Sequence, residues 1–176
     1  MNDSIFVPHF NTTSETEALL DGIDRQRWLV ENMLIMPKHH AWISRDIGIQ
    51  RAAATTRIEG AGLDEDAVRN LEKTRPSTKH TEDEQANLNA LQAYEFVDFL
   101  SDEADIPLDE LVVRQLNRLF MRGAAETLTP GAYRKGENKV GRFAPPNQGD
   151  VPDLMRSFAL WLREDQEIHP VIKAGI

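Results

Sequence analysis

The chain has 176 residues, 40% of them hydrophobic and 28% charged, enough for one domain that buries about two thirds or more of its unfolded surface. Its net charge of −9 repels phosphates at long range and argues against a general nucleic-acid binder. No apolar run approaches the roughly 20 residues that span a bilayer, no basic-then-apolar leader opens the chain, and without cysteine there are no disulfides or thiolate metal sites. A cytoplasmic protein with no membrane association is expected.

Ile5 to Phe10 read as an extended arm, because Val7 precedes a proline. Ser14-Glu15-Thr16-Glu17 has the form of a capping box, and Leu19, Ile23, Val30 and Leu34 continue it as a helical stripe that Pro37 closes. A second helix is expected from about Trp42 to Ile58, with Ile43, Ile47, Ala54 and Ile58 on one face. Asp64 caps a short helix carrying Ala67, Val68 and Leu71, which ends before Pro76. Thr81-Glu82-Asp83-Glu84 is another capping box, followed by a narrow face of Ala86, Ala90, Ala93, Val97 and Leu100. Leu108, Val112, Leu116 and Leu119 mark a helix opened by Pro107, and Val151, Leu154, Met155, Phe158 and Leu162 one capped by Asp150. His169-Pro170 begins a last helix that stops without a cap, so the chain reads as cut in mid-element, and either self-association or a frayed C-terminus is expected.

One stretch interrupts this all-α pattern. Between Gly131 and Pro146, Tyr133, Val140 and Phe143 are strand formers, and Gly136-Glu137-Asn138 reads as a turn between two arms of a short β-hairpin. Arg134, Lys135, Lys139 and Arg142 would guard its edge. The hairpin is either a decorated loop or a landing strip for an extended peptide added edge-on.

The most informative segment is Thr55-Thr56-Arg57-Ile58-Glu59-Gly60. Gly60 offers a left-handed helix cap, which leaves Glu59 in the last turn, where the helix dipole disfavours an anion by roughly 0.3–1 kcal/mol. Two readings stand: a solvated carboxylate that happens to end a helix, or one placed to meet a cation from elsewhere.

Other chemistry is thin. There is no glycine-rich phosphate cradle, and no nucleophile elbow. His39 and His40 are adjacent and point apart on a helix, while His9, His80 and His169 are scattered, so no metal site is expected. Trp28, Trp42 and Trp161 suit core or interface anchors better than a base-stacking platform.

Taken in order, these segments resemble the N-terminal and pre-catalytic part of a Fic-domain protein, a family that transfers AMP from ATP to hydroxyl side chains of target proteins. Thr55-x-x-x-Glu59-Gly60 is similar to the family's inhibitory motif, Ser/Thr-x-x-x-Glu followed by Gly or Asn. Gly131-x-Tyr133-Arg134 with Lys139, Val140-Gly141 and Pro145-Pro146 resembles its target-docking flap. Val151-x-x-Leu154-Met155, Trp161-Leu162 and His169-Pro170-Val171-Ile172-x-Ala174 resemble the run into its active-site helices. The catalytic signature, His-Pro-Phe-x-Asp/Glu-Gly-Asn-Gly-Arg-x-x-Arg, occurs nowhere in these residues; His169-Pro170 is followed by Val171 and no Gly-Asn-Gly.

The resemblance implies an all-α bundle of the Fic type with one hairpin flap. It places an N-terminal helical region at 1–130, with the inhibitory helix at about 42–60, and a flap with pre-catalytic helices at 131–176. It implies that Thr55, Glu59 and Gly60 regulate, Glu59 by pairing with the signature's second arginine so that the γ-phosphate cannot dock. Tyr133, Arg134, Lys139, Val140 and Gly141 would dock the target. No catalytic residue, metal or cofactor is expected on these residues themselves; ATP and a magnesium ion belong to the complete enzyme, whose missing C-terminal Fic core and target protein are the implied partners. This chain alone would be inactive. The alternatives are a freestanding inhibitor that lends Glu59 in trans to a separate Fic enzyme, and an unrelated helical scaffold.

Overall fold

A helix starts where some group takes up its unbonded amides, and the computed structural model shows which residues do so. It describes residues 6–60, 62–71, 73, 79–103, 105–123, 129–165 and 167–176. Among them are seven α-helices and no sheet or barrel, so the all-α expectation is met. The chain divides into two compact units, one of residues 37–136 and one of 1–36 with 137–176.

The 37–136 unit holds α2 (Pro37–Ile58), α3 (Glu65–Leu71), α4 (Glu82–Asp102) and α5 (Glu110–Phe120). Pro37 opens α2 instead of closing the preceding segment, because proline at a first helical position forfeits no hydrogen bond. Asp64 Oδ1 accepts the Ala67 amide at 2.8 Å before α3. Thr81 and Glu84 make both bonds of the capping box, at 2.8 and 3.2 Å. Asp109, not Pro107, caps α5, accepting the Val112 amide at 3.0 Å.

The buried face of α2 differs from the isoleucine stripe. Ile49, Ala52, Ala53 and Thr56 are buried, spaced three and four apart, while Ile47, Ala54 and Ile58 are exposed. Small residues win because α2 packs on α4, whose Ala90 and Ala93 are also buried. Alanine on both sides lets two helix backbones approach closely, with Ile49 packed in the same core. Val68 of α3 completes this core, with Leu63, Leu91, Tyr94 and Phe120 packed at its margin.

The other unit contains α1 (Ser14–Glu31), α6 (Val151–Glu164) and α7 (Pro170–Gly175). Thr13, one residue before the expected box, caps α1 by accepting the Thr16 amide at 3.2 Å. The α1 stripe of Leu19, Ile23 and Val30 stays exposed, and Leu34 lies beyond the helix end. Asp150 stands at the cap position of α6, but its carboxylate makes no cap bond. The N-terminal arm packs on α6: the Phe6 amide donates to Ser157 Oγ at 2.8 Å, and its ring meets Phe158 edge-on with centroids 5.0 Å apart. Lys173 Nζ donates to the carbonyls of Leu162, at 3.1 Å, and Asp165, and so closes the C-terminal end of α6.

The hairpin is not formed among the described residues. The segment 137–147 instead makes a single tight turn, in which the Phe143 amide donates to the Val140 carbonyl at 2.9 Å and Gly141 takes φ +58°. Pro145 and Pro146 have no amide to give a second arm, so a ladder cannot extend.

Candidate functional site

The regulatory segment sits at the C-terminal end of α2. The Glu59 amide bonds to the Thr56 carbonyl and the Gly60 amide to the Arg57 carbonyl, both at 3.1 Å, which tightens the helix end. Gly60 then takes φ +96°, the left-handed conformation that favours glycine, in space where a Cβ would meet nothing within 4 Å. Backbone geometry is therefore the reason for glycine here. Glu59 lies just past Ile58, is exposed, and its carboxylate makes no hydrogen bond or ion pair among the described residues. Several carbonyls at the end of α2 face the same region, so the carboxylate stands in a field suited to a cation.

Thr55, four residues earlier, is tied to α4. Its hydroxyl lies 2.6 Å from the Tyr94 hydroxyl of α4. Tyr94 is itself held on two further sides: the Arg51 guanidinium sits 4.7 Å from its ring centroid, and Phe120 meets it edge-on at 5.9 Å. Arg51 in turn reaches both Asp98 oxygens at 3.0 Å. Sequence reading missed Tyr94, although Asp83, Asn87, Ala90 and Tyr94 recur at helical spacing along α4.

The first part of the docking segment is pinned to α5 in the same unit. The Gly131 amide donates to Asn117 Oδ1 at 2.9 Å, and its carbonyl accepts from Arg114 Nε at 2.7 Å. The Arg114 guanidinium also lies 5.4 Å from the Tyr133 ring centroid. A groove of about 620 Å³ opens beside them, lined by Asn117, Met121, Thr129, Tyr133, Arg134 and Lys135. Its walls mix an apolar floor with two cations, a surface suited to an extended chain carrying acidic groups. Lys139, Val140 and Gly141 belong to the other unit, where Lys139 and Val140 are exposed and Gly141 makes the tight turn described above.

This helical arrangement is a Fic-like fold. It is similar to the crystal structure of a Fic family protein from Desulfovibrio desulfuricans G20, with a TM-score of 0.70 and 22% sequence identity. The likeness covers 96% of this chain and 51% of that one, so the chain spans about half the length of the structure it matches. No family model matches the chain.

Proposed function

We propose that this chain is the autoinhibitory and target-docking portion of a Fic-type protein adenylyltransferase. The observation that carries the reading is Glu59: an exposed carboxylate without a bond among the described residues, at a helix end whose dipole disfavours it. Such a placement costs stability locally and is explained by a cation supplied from outside these residues. In the proposed reading that cation is the second arginine of the Fic signature, and the pairing keeps the ATP γ-phosphate out of its productive position.

The groove beside Tyr133 and Arg134 is proposed as the place where a target peptide first lies down, with Lys139, Val140 and Gly141 as the remaining flap contacts. ATP and magnesium are assigned to the catalytic core. The signature that would hold them is absent from this sequence, and among the described residues no three His, Asp or Glu side chains gather as a metal site.

The test is AMP transfer by this chain joined to its catalytic core. Glu59→Gly should raise transfer tenfold or more, since a charge-assisted pair holds about 1.5–3 kcal/mol. Glu65→Gly, just beyond the motif, should not. Equal transfer by wild type and Glu59→Gly would remove the assignment. If the core is a separate protein, the same difference should appear when the two are mixed.

A further inference from the structure

The turn that carries Glu59 is held from both sides by α4. On the entry side, the Thr56 hydroxyl lies 2.9 Å from Asn87 Oδ1, and Asn87 Nδ2 donates to the Asp83 carbonyl at 2.9 Å. That second bond decides which way the amide faces, since only its NH2 can meet a carbonyl. On the exit side, the Gly62 amide donates to Asp83 Oδ2 at 3.0 Å. Thr56, Asn87, Asp83 and Gly62 therefore form one connected bracket around the turn.

Thr56 and Asn87 are both buried, and Asn87 Oδ1 has no other donor among the described residues. Ala52, Ala53 and Ala90 would pack α2 on α4 without them. The Thr56 hydroxyl can fall back on the Ala52 carbonyl of its own helix, 3.0 Å away, but a buried amide oxygen is costly without a donor, so the effect is on register: α2 cannot slide or rotate against α4 without stranding Asn87 Oδ1. The Glu59 carboxylate makes no hydrogen bond or ion pair among the described residues, and it inherits its position from the backbone that this bracket holds.

We propose that Thr56, Asn87 and Asp83 are positioning residues for Glu59, fixing where its carboxylate stands and hence how strongly it inhibits. This rests on the inhibitory reading of Glu59 given above.

The experiment measures AMP transfer by the chain with its catalytic core for Thr56→Val, Glu59→Gly and the double variant. Thr56→Val should raise transfer about fivefold, the factor carried by one buried hydrogen bond, and Thr56→Ser should restore inhibition. In the Glu59→Gly background Thr56→Val should add nothing, because no carboxylate is left to misplace. Equal changes in both backgrounds would mark Thr56 as merely structural and overturn the proposal. Activation by Glu59→Gly with none by Thr56→Val would overturn it while leaving the inhibitory reading intact. No activation by Glu59→Gly would remove that reading and the bracket's role with it. Should Thr56→Val fail to fold, Asp83→Ala opens the exit side from a half-buried position and must show the same dependence on Glu59.

Discussion

Arg114 and Gly131 fit only at close range: the guanidinium donates to the glycine carbonyl at 2.7 Å, and a Cβ on Gly131 would stand 3.0 Å from the Arg114 carbonyl oxygen. Gly131 also has φ +79°. Gly131→Ala should therefore cost about 2 kcal/mol or more, from left-handed strain plus displaced backbone. Gly141→Ala, at φ +58° with nothing within 4 Å, should cost about 1 kcal/mol. Urea denaturation of the two variants checks the difference, and equal midpoints would show that the docking segment does not rest on α5.

Helix caps offer a second comparison. Thr81 makes a reciprocal box with Glu84, whereas Asp150 makes no cap bond. Thr81→Ala should lower stability by about 1 kcal/mol, and Asp150→Ala by less than about 0.5 kcal/mol. Thermal unfolding followed by circular dichroism reads both.

Acid should weaken the contact between α2 and α3. The hydrogen bond from Arg69 holds the Asp46 carboxyl below the usual carboxylate range; partial burial opposes it, and the charge of Arg69 and a bond from Gln50 assist. A carboxyl lowered in the folded state stabilises it above the unfolded value of about 3.9 and stops doing so as pH falls through the folded value. Asp46→Asn should lower the urea midpoint at neutral pH, and the gap to wild type should close below about pH 4. A gap that stays constant down to pH 2 would contradict this.

The Phe6 ring is packed against Phe158 and lies 5.3 Å from the Trp161 ring. With Trp28 and Trp42, both exposed, replaced by phenylalanine, fluorescence reports on Trp161 alone. Phe6→Ala should then shift the emission to the red as water reaches the indole. Unchanged emission would mean that the arm does not cover α6.

What was legible in the sequence follows from the range of the interactions involved. Thr81 with Glu84, Asp64 with Ala67 and the left-handed Gly60 all act within three or four residues, and all were readable. Pro37 could end one element or begin the next, and only the structure distinguishes these. The α2 face was misjudged because isoleucine outweighs alanine in any hydropathy pattern, while close helix approach rewards alanine. Thr55 with Tyr94, Thr56 with Asn87 and Arg114 with Gly131 join residues 39, 31 and 17 positions apart, beyond the reach of any local signal. Glu59 and Gly60 stand out from the helix end and Thr55 from the resemblance, but nothing local points to Tyr94 on α4 as the partner of Thr55.

The buried Thr56–Asn87 contact also constrains how this sequence can drift. Losing the hydroxyl alone strands the Asn87 amide oxygen, a cost of about 1–3 kcal/mol, whereas losing the amide alone leaves the hydroxyl its bond to the Ala52 carbonyl at 3.0 Å; replacing both by apolar groups of the same shape is nearly neutral. Descendants of this chain should therefore keep a hydroxyl at position 56 wherever an amide stays at position 87, and lose the amide first or together with the hydroxyl. An amide at 87 facing a hydrocarbon at 56 should be rare, even where the rest of the α2–α4 seam has been rewritten.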